Sequence, residues 1–303
     1  MKQILATLLF VVVSFALATA QIAKQADHMV PTGKGWAESH DNAPARSAGT
    51  ATTGPNGINY HGGPLLNSTG GTNVYYIWYG AWSGNTATTI LTDLATGIGG
   101  TPYFNINTTY FDGNNVAVAN RVNYVTSTSD NYSQGKRLTD AKVQAVVFNA
   151  INNGKLPRDS NAVYFVLTSK DVAETSGFCT KYCGWHTHGT SSGTDIKYAF
   201  VGNPDRCPSA CEAQSSSSPN SNPGADGMAS VISHELEEAA TDPDLNAWYD
   251  SSGAENADKC AWTFGTESIA GNGSKYNMTF NGRNWLIQQN WVNAGGGYCA
   301  KSY

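Results

Sequence analysis

The sequence predicts a single domain of the α/β (α+β) class, with a mixed sheet, covering helices and loops stapled by disulfides. Three observations in the chain of 303 residues predict this class. Apolar segments of strand length alternate with segments of helical periodicity, which is the pattern of a covered sheet. Six cysteines supply the disulfides. The length suits one large domain, since domains usually hold roughly 100–200 residues.

The N-terminus has the three-part pattern of a secretory signal peptide over residues 1–20. Lys2 is followed by an apolar stretch over 4–18 and then by small residues. A membrane anchor needs about 20 apolar residues, so this shorter stretch favours a signal peptide. Residues 21–57 are small and polar without periodicity, which predicts a flexible arm before a domain at 58–303. We therefore expect a secreted protein, either extracellular or in the cell wall.

Strands and helices alternate through the middle of the chain. Residues 74–79 and 162–168 are apolar on both alternating faces, as in strands that are buried from both sides. A shorter strand is predicted at 197–201. Helical spacing of apolar residues predicts covering helices at 88–98 and 138–153. In the second helix, the predicted buried face consists of Leu138, Ala141, Ala145 and Phe148.

The six cysteines of an exported chain indicate disulfides, although the sequence leaves their connectivity open. A four-thiolate zinc site is the alternative for the two CxxxC pairs, but the usual spacing in such sites is tighter. We expect Cys260 to pair with Cys299 and the other four cysteines to pair among themselves. These four are Cys179, Cys183, Cys207 and Cys211.

Composition excludes several classes of protein. The formal net charge is −5, from 18 basic and 23 acidic residues, so the basic footprint of a nucleic-acid binder is missing. Charged residues make up only 14% of the chain, which excludes a coiled coil or a charged disordered tail. We expect no membrane span after the signal peptide.

Five Asn-x-Ser/Thr sequons predict a glycoprotein, at Asn67, Asn107, Asn131, Asn272 and Asn277.

One predicted helix carries most of the candidate chemistry. Asp226 is placed to cap a helix that runs to Thr241, and Pro243 ends it because proline disfavours helical geometry in the preceding residue. The inward-facing apolar stripe consists of Met228, Ile232, Leu236 and Ala239.

This helix contains the motif HExxE, formed by His234, Glu235 and Glu238. Residues four apart lie one turn above the other, so His234 and Glu238 can bind one ion. The motif is related to HExxH, in which two helix-borne ligands bind zinc and the intervening glutamate activates water. A bound Zn²⁺ lowers the pKa of its water towards about 7, and Glu235 is the candidate general base.

A third ligand has to come from elsewhere in the chain. Downstream, Asp242, Glu255 and Asp258 belong to an acidic cluster, and upstream His186 lies on a predicted disulfide-stapled loop. Two alternatives stay open. Asp/Asn-rich loops also suit Ca²⁺, which prefers oxygen ligands, and His234 would then be a bystander. Histidine and glutamate on an exposed helix flank also occur without any ion.

Several short motifs, in order, resemble those of the EXORDIUM (phosphate-induced protein 1) family. They are YHGGP at 60–64, NVYYIWYGAW at 73–82, FCTKYCGWH at 178–186, VGN at 201–203, CPSAC at 207–211 and DGM at 226–228. The resemblance implies a secreted or cell-wall-associated protein, in a family that has no firmly established catalytic activity. With its HExxE motif, the chain resembles a microbial-type member with a zincin-like helix.

The leading hypothesis is an EXORDIUM-like extracellular protein with a zinc-dependent hydrolase site of the metallopeptidase kind. Its partner would be an extracellular peptide or a cell-wall component, and we expect a monomer. The alternative is a non-catalytic matrix or cell-wall protein that acts by binding or signalling. In that alternative, Ca²⁺ would be a structural ion in the region 242–258.

Overall fold

The computed structural model describes residues 57–303. The predicted signal peptide at 1–20 lies outside the described residues, as does the predicted arm except for residue 57. The centre of the fold is a five-stranded sheet. Its strands are β1 (Thr72–Tyr79), β2 (Val122–Asp130), β3 (Ala162–Thr168), β4 (Gly184–Ser191) and β5 (Thr194–Val201).

The sheet is mixed, as predicted, with the strand order β2-β1-β3-β5-β4. The first four strands in this order are parallel, and β4 pairs with β5 as an antiparallel hairpin. All residues of β3 are buried, in keeping with its continuous apolar run. Strands β1, β3 and β5 match the predicted strands, whereas β2 and β4 are absent from the prediction because they are rich in polar residues. His186 therefore lies on an edge strand and not on the predicted loop.

In the described part of the chain, four α-helices accompany the sheet: α1 (Ala87–Gly97), α2 (Asp140–Asn152), α3 (Pro208–Cys211) and α4 (Pro223–Thr241). Three short 3₁₀ segments lie at Phe104–Thr109, Pro204–Arg206 and Asp258–Cys260. The two predicted covering helices correspond to α1 and α2, but the predicted buried face of the second is only partly confirmed. Leu138 is buried just before α2, and Phe148 is half-buried against the core. Ala141 is exposed, and the residues that α2 buries are Val143, Val146, Val147, Ala150 and Ile151.

Helices α2 and α4 cover opposite faces of the sheet at β4. A Cβ atom built on Gly184 would lie 2.5 Å from Val231 Cγ1 of α4, whereas one on Gly189 would lie 2.7 Å from Gln144 Nε2 of α2. Positions an odd number apart along a strand face opposite sides, so the two helices lie on opposite sides of β4. His186 shares the parity of Gly184 and faces α4.

Among residues 57–303 there are also five pairs of short strands, four antiparallel and one parallel. They are Asn59–Tyr60 with Trp248–Tyr249, Arg137–Leu138 with Ala173–Glu174, Ser268–Ile269 with Lys275–Tyr276, Met278–Phe280 with Arg283–Trp285, and Asn290–Val292 with Tyr298–Ala300. Segments from the C-terminal third pack on the side of α4 that the sheet leaves open. The backbone N–H of Gln288 donates to Ser230 Oγ at 3.2 Å, and Asn256 Nδ2 donates to the Glu237 carbonyl at 3.2 Å.

The disulfide prediction is confirmed for Cys260 and Cys299. The other four cysteines pair among themselves, as predicted, with Cys179 bonded to Cys207 and Cys183 bonded to Cys211. These two bonds join the segment before β4 to α3 and the turn that precedes it. Such bonds are consistent with an extracellular protein. Within residues 57–303, no helix combines the length and the apolar character that crossing a membrane requires.

The five sequons differ sharply in exposure. Asn107 is buried, which contradicts the expectation that all five lie on a glycosylated surface. Asn277 is half-buried, and its Nδ2 donates to the carbonyls of Phe264 and Ile287. Asn131 is exposed at the end of β2.

In a eukaryotic secretory host, we expect a glycan at Asn131 and none at Asn107. A glycan at Asn107 could not be accommodated in the folded core, whereas Asn131 faces solvent. Peptide mass spectrometry after enzymatic deglycosylation in heavy-oxygen water measures the occupancy of each site. Folded protein that carries a glycan on Asn107 would contradict the placement of this residue.

Candidate metal centre

Helix α4 begins earlier than predicted. Its N-cap is Asn222, whose side chain accepts a hydrogen bond from the Ala225 N–H, and Pro223 occupies the first helical turn. Asp226 is therefore not the cap. It lies inside the first turn and accepts hydrogen bonds from the backbone and side-chain nitrogens of Asn220. The helix ends at Thr241, before Pro243, as predicted.

The polar side chains of α4 are buried, so the alternative of an exposed helix flank is wrong. His234, Glu235 and Glu238 are 1%, 3% and 1% exposed. The amphipathic pattern of the sequence fails here because α4 is covered by the sheet on one side and by C-terminal segments on the other. Burial of this many ionisable groups costs free energy unless each gains a compensating partner.

Six of the predicted site residues converge around Glu238, and we call them the acidic centre. They are His186, His234, Glu235, Glu238, Glu255 and Asp258. None is more than 4% exposed. They come from three parts of the chain: strand β4, helix α4 and the segment 255–258.

In one half of the acidic centre, two carboxylates flank His234. Its Nε2 lies 2.9 Å from Glu238 Oε1 and 3.5 Å from Asp258 Oδ1. The backbone N–H of Asp258 also donates to Glu238 Oε1 at 3.2 Å, which holds the downstream segment against α4.

The other half contains His186. Its Nε2 lies 3.1 Å from Glu255 Oε2 and 3.7 Å from Glu238 Oε2. The sequence placed His186 on a loop as one of the candidates for a further ligand, and the register of the hairpin explains its position on β4. His186 pairs with Ala199 on β5, and both its neighbours along the strand point to the opposite face.

Glu235 lies on the side of α4 that approaches β4. Its carboxylate belongs to a set with His234 and Glu238 in which all donor atoms lie within 4.8 Å of one another. Gly184 allows this approach, because a Cβ built there would lie 2.9 Å from Glu235 Oε1.

We expect the Gly184→Ala substitution to destabilise the fold by about 1–3 kcal/mol, the usual cost of overpacking a tight core. The added methyl group would push α4 and Glu235 away from β4. Urea unfolding measures the change in the free energy of unfolding. The matched control is Gly271→Ala, since no atom lies within 4 Å of a Cβ at Gly271. Equal stability of the two variants would contradict the close contact.

Asp242 lies one helical turn after Glu238, but its side chain binds the backbone of the loop that follows the helix. Its Oδ1 accepts hydrogen bonds from the backbone N–H groups of Asn246 and Ala247, both at 2.6 Å. Burial raises the pKa of Asp242 to about 7. Its charge also contributes to the raised pKa of Glu255.

Burial shapes the protonation of the acidic centre. It raises the pKa of Glu235 and Glu255 well above the ordinary range and that of Asp258 to about 7, and the nearby charge of Glu238 adds to each shift. Within residues 57–303, no lysine or arginine forms an ion pair with these carboxylates.

The pKa values of the two imidazoles shift in opposite directions. Burial lowers the pKa of His186 to about 4, so this ring is neutral at pH 7. Burial also disfavours the charged form of His234, but the charges of Glu238, Asp258 and Glu235 outweigh it and raise the pKa well above its ordinary value. His234 is therefore protonated in the absence of a metal ion, and its positive charge lies between carboxylates.

The donor separations are those of ligands around a small ion. A tetrahedral zinc ion with bonds of about 2.0–2.1 Å holds its ligand atoms about 3.3 Å apart. The four contacts between imidazole nitrogens and carboxylate oxygens measure 2.9, 3.1, 3.5 and 3.7 Å. Distances of 2.9 and 3.1 Å are also those of hydrogen bonds, so the donor types and their grouping within 4.8 Å are what make the set able to hold a divalent ion.

Sequence reasoning missed Gln288. Its Nε2 lies 2.8 Å from His234 Nδ1 and also donates to the Ala257 carbonyl at 3.1 Å. With the Gln288 NH₂ as its neighbour, Nδ1 is an acceptor and a neutral His234 ring carries its proton on Nε2. Binding of an ion by Nε2 therefore requires the Gln288 amide to turn and present Oε1 to Nδ1–H. Gln288 lies 54 residues after His234 in the chain, and no local pattern in the sequence identifies it.

A second polar cluster lies farther along β4. His188 Nδ1 is 2.9 Å from Asp195 Oδ1, and Asp244 Oδ1 lies 3.6 Å from the same nitrogen. Lys197 forms an ion pair of 2.7 Å with Asp195. This lysine supplies a positive charge to the cluster.

A known protein family matches the whole region that contains the acidic centre. The family model described as "Phosphate-induced protein 1 conserved region" matches residues 58–299. The chain belongs to the phosphate-induced protein 1 family. All residues of the acidic centre lie inside the matched region, so the centre forms part of the family domain of this chain.

Two relatives from Arabidopsis thaliana match most of the family domain. Protein EXORDIUM-like 5 is 32% identical over 77% of this chain and 75% of its own length. Protein EXORDIUM-like 3 is also 32% identical, over 77% of this chain and 80% of its own length. Protein PHOSPHATE-INDUCED 1 of Nicotiana tabacum is 31% identical over 40% of this chain and 41% of its own length. No solved structure matches the chain significantly.

Proposed function

We propose that this family member is an extracellular protein that binds divalent metal in the acidic centre. One observation carries the proposal: two imidazoles and four carboxylates meet in a buried place where no lysine or arginine of residues 57–303 forms an ion pair with them. A divalent cation would offset the cost of burying these charges.

The donor types favour Zn²⁺ over Ca²⁺. Zinc accepts imidazole nitrogen together with carboxylate oxygen, whereas calcium takes oxygen ligands. His186 and His234 both direct Nε2 towards Glu238. His234, Glu238 and Asp258 would hold the ion in one half of the centre, with His186 and Glu255 facing them across Glu238.

A metal in the acidic centre would act first as a structural link. Its ligands come from three separate segments of the chain: β4, α4 and residues 255–258. The bound ion would tie the edge of the sheet to the central helix and to the C-terminal third. The enclosure of all six side chains supports this structural role, since catalytic zinc sites keep an open position.

A second candidate function is metal-dependent hydrolysis of an extracellular peptide. The position of Glu235 favours it, because this carboxylate lies within 4.8 Å of donor atoms of His234 and Glu238. The metal would supply a polarised water. Glu235 would take the proton of that water and pass it to the leaving group.

Elemental analysis of the mature protein, purified without added metal, tests the metal centre. We expect bound zinc in the wild type, near-complete loss in His234→Ala and full retention in His188→Ala. His188 is the matched control, since it lies two residues from His186 on the same strand. A metal-free wild type, or equal zinc in both variants, would overturn the proposal.

A peptide-library digest separates the two candidate functions. If the centre is hydrolytic, Glu235→Gln should lower the cleavage rate by a factor of 100 or more, on the order of 10²–10⁴ for a lost general base, and keep the bound metal. If the centre is only structural, wild type and Glu235→Gln will both leave the library uncleaved. Equal cleavage by the two proteins would exclude Glu235 as the base.

A further inference from the structure

The donor atoms of the acidic centre form two sets that share a single residue. One set is His234, Glu235 and Glu238, and the other is His186, Glu238 and Glu255, each with donor atoms within 4.8 Å of one another. Glu238 belongs to both sets. The two sets also use different oxygens of this carboxylate, since Oε1 lies 2.9 Å from His234 Nε2 and Oε2 lies 3.7 Å from His186 Nε2.

The two halves share a common core of donors, to which Glu235 adds a further carboxylate on the His234 side. His234 is accompanied by Asp258 at 3.5 Å, and His186 is accompanied by Glu255 at 3.1 Å. Each half therefore offers one imidazole nitrogen, one carboxylate of its own and one oxygen of Glu238. A single ion bound in one half would leave the imidazole and the carboxylate of the other half without a metal to bind.

An unpaired oxygen lies in the half around His186. Glu255 Oε1 is buried and accepts no hydrogen bond from any described residue. The Glu255 side chain is 0% exposed, and its other oxygen lies 3.1 Å from His186 Nε2. Most buried carboxylate oxygens have a partner, so this orphan beside an imidazole points to a missing cation in this half.

Charge also favours two ions over one. Glu235, Glu238, Glu255 and Asp258 carry four negative charges when they are ionised. One divalent ion balances two of these charges, whereas two divalent ions balance all four. Because the residues are at most 3% exposed, water cannot supply the difference.

We infer that the acidic centre holds two divalent metal ions bridged by the carboxylate of Glu238. This inference rests on the proposed metal centre and extends it. One ion would lie between His234, Asp258 and Glu238 Oε1, and the other between His186, Glu255 and Glu238 Oε2. Paired ions of this kind lie about 3.5–4 Å apart in other proteins.

Zinc stoichiometry tests the inference on the full mature chain. After saturation with zinc and gel filtration, we expect two zinc ions per wild-type chain. Glu255→Gln and Asp258→Asn should each retain one, because each removes a ligand from one half only. His188→Ala should retain two. One ion per wild-type chain would overturn the second ion and leave the metal centre standing, whereas none would overturn both.

A measurement on the wild type alone does not depend on how the variants fold. X-ray absorption at the zinc edge of the saturated protein should show zinc–zinc scattering at about 3.5–4 Å. In protein loaded with one equivalent, this scattering should be weaker. Fully loaded protein that lacks a zinc–zinc distance in this range would contradict the bridge through Glu238.

Discussion

Removal of metal is expected to lower the melting temperature of the mature protein by roughly 8–16 °C, the shift that about 4 kcal/mol produces in a domain of this size. An ion present at about a thousand times its dissociation constant stabilises the folded state by about 4 kcal/mol. Without the ion, the buried carboxylates around Glu238 lose their counter-charge and have to take up protons or repel one another. Differential scanning calorimetry before and after dialysis against EDTA measures the shift.

The His234→Ala variant provides the control for the chelation experiment. This variant should start with a lower melting temperature and should not respond to EDTA, because it has little metal to lose. Restoring zinc to the dialysed wild type should recover the original transition. A wild type whose melting temperature is the same with and without EDTA would contradict a stabilising ion in the centre.

Loss of the Cys260–Cys299 disulfide is expected to have an effect of similar size. The bond closes a loop of 39 residues, for which chain entropy predicts a stabilisation of about 4 kcal/mol. Cys260 also lies two residues after Asp258, so the bond holds a metal-ligand segment in place. The double variant Cys260→Ala/Cys299→Ala should therefore lose both stability and zinc affinity. Urea unfolding and zinc titration of the apoprotein measure the two effects.

The double variant Cys179→Ala/Cys207→Ala is the matched control for the disulfide experiment. It also lacks one bond, but Cys183–Cys211 still closes nearly the same loop. We expect a smaller loss of stability and an unchanged zinc affinity. If both double variants weakened zinc binding equally, the link between Cys260 and the metal-ligand segment would be wrong.

The parts of the fold that the sequence predicts are those whose pattern is local. Strands β1 and β3 are continuous apolar runs, because parallel strands in a covered sheet are buried on both faces. Helix α1 lies within one residue of its prediction at both ends. The pairing of Cys260 with Cys299 was also predicted.

The parts that escaped prediction depend on contacts between distant segments. Strand β4 is polar on the face that carries His186, so it lacks the apolar run of its neighbours. Helix α4 has an amphipathic sequence but is buried on all sides, because residues 256–290 return to cover it. For the same reason Gln288 had no signal in the sequence.

The HExxE motif predicted which residues of α4 belong to the acidic centre, and it led to the hypothesis that they bind a metal ion. His234, Glu235 and Glu238 lie together, as the helical spacing requires. The alternatives for the further ligands were left open, and the structure brings Glu255, Asp258 and His186 to Glu238 while Asp242 holds the following turn. The position of His186 depends on the register of the β4–β5 hairpin, which helical spacing does not address.

The most direct test of the account is an anomalous difference map at the zinc edge, from crystals of protein purified without added metal. The account predicts density within about 2.2 Å of His234 Nε2 and of a Glu238 oxygen, the usual length of zinc–ligand bonds. It would be contradicted by a map without density in the acidic centre, in which His234, Glu238 and Asp258 bond only to one another.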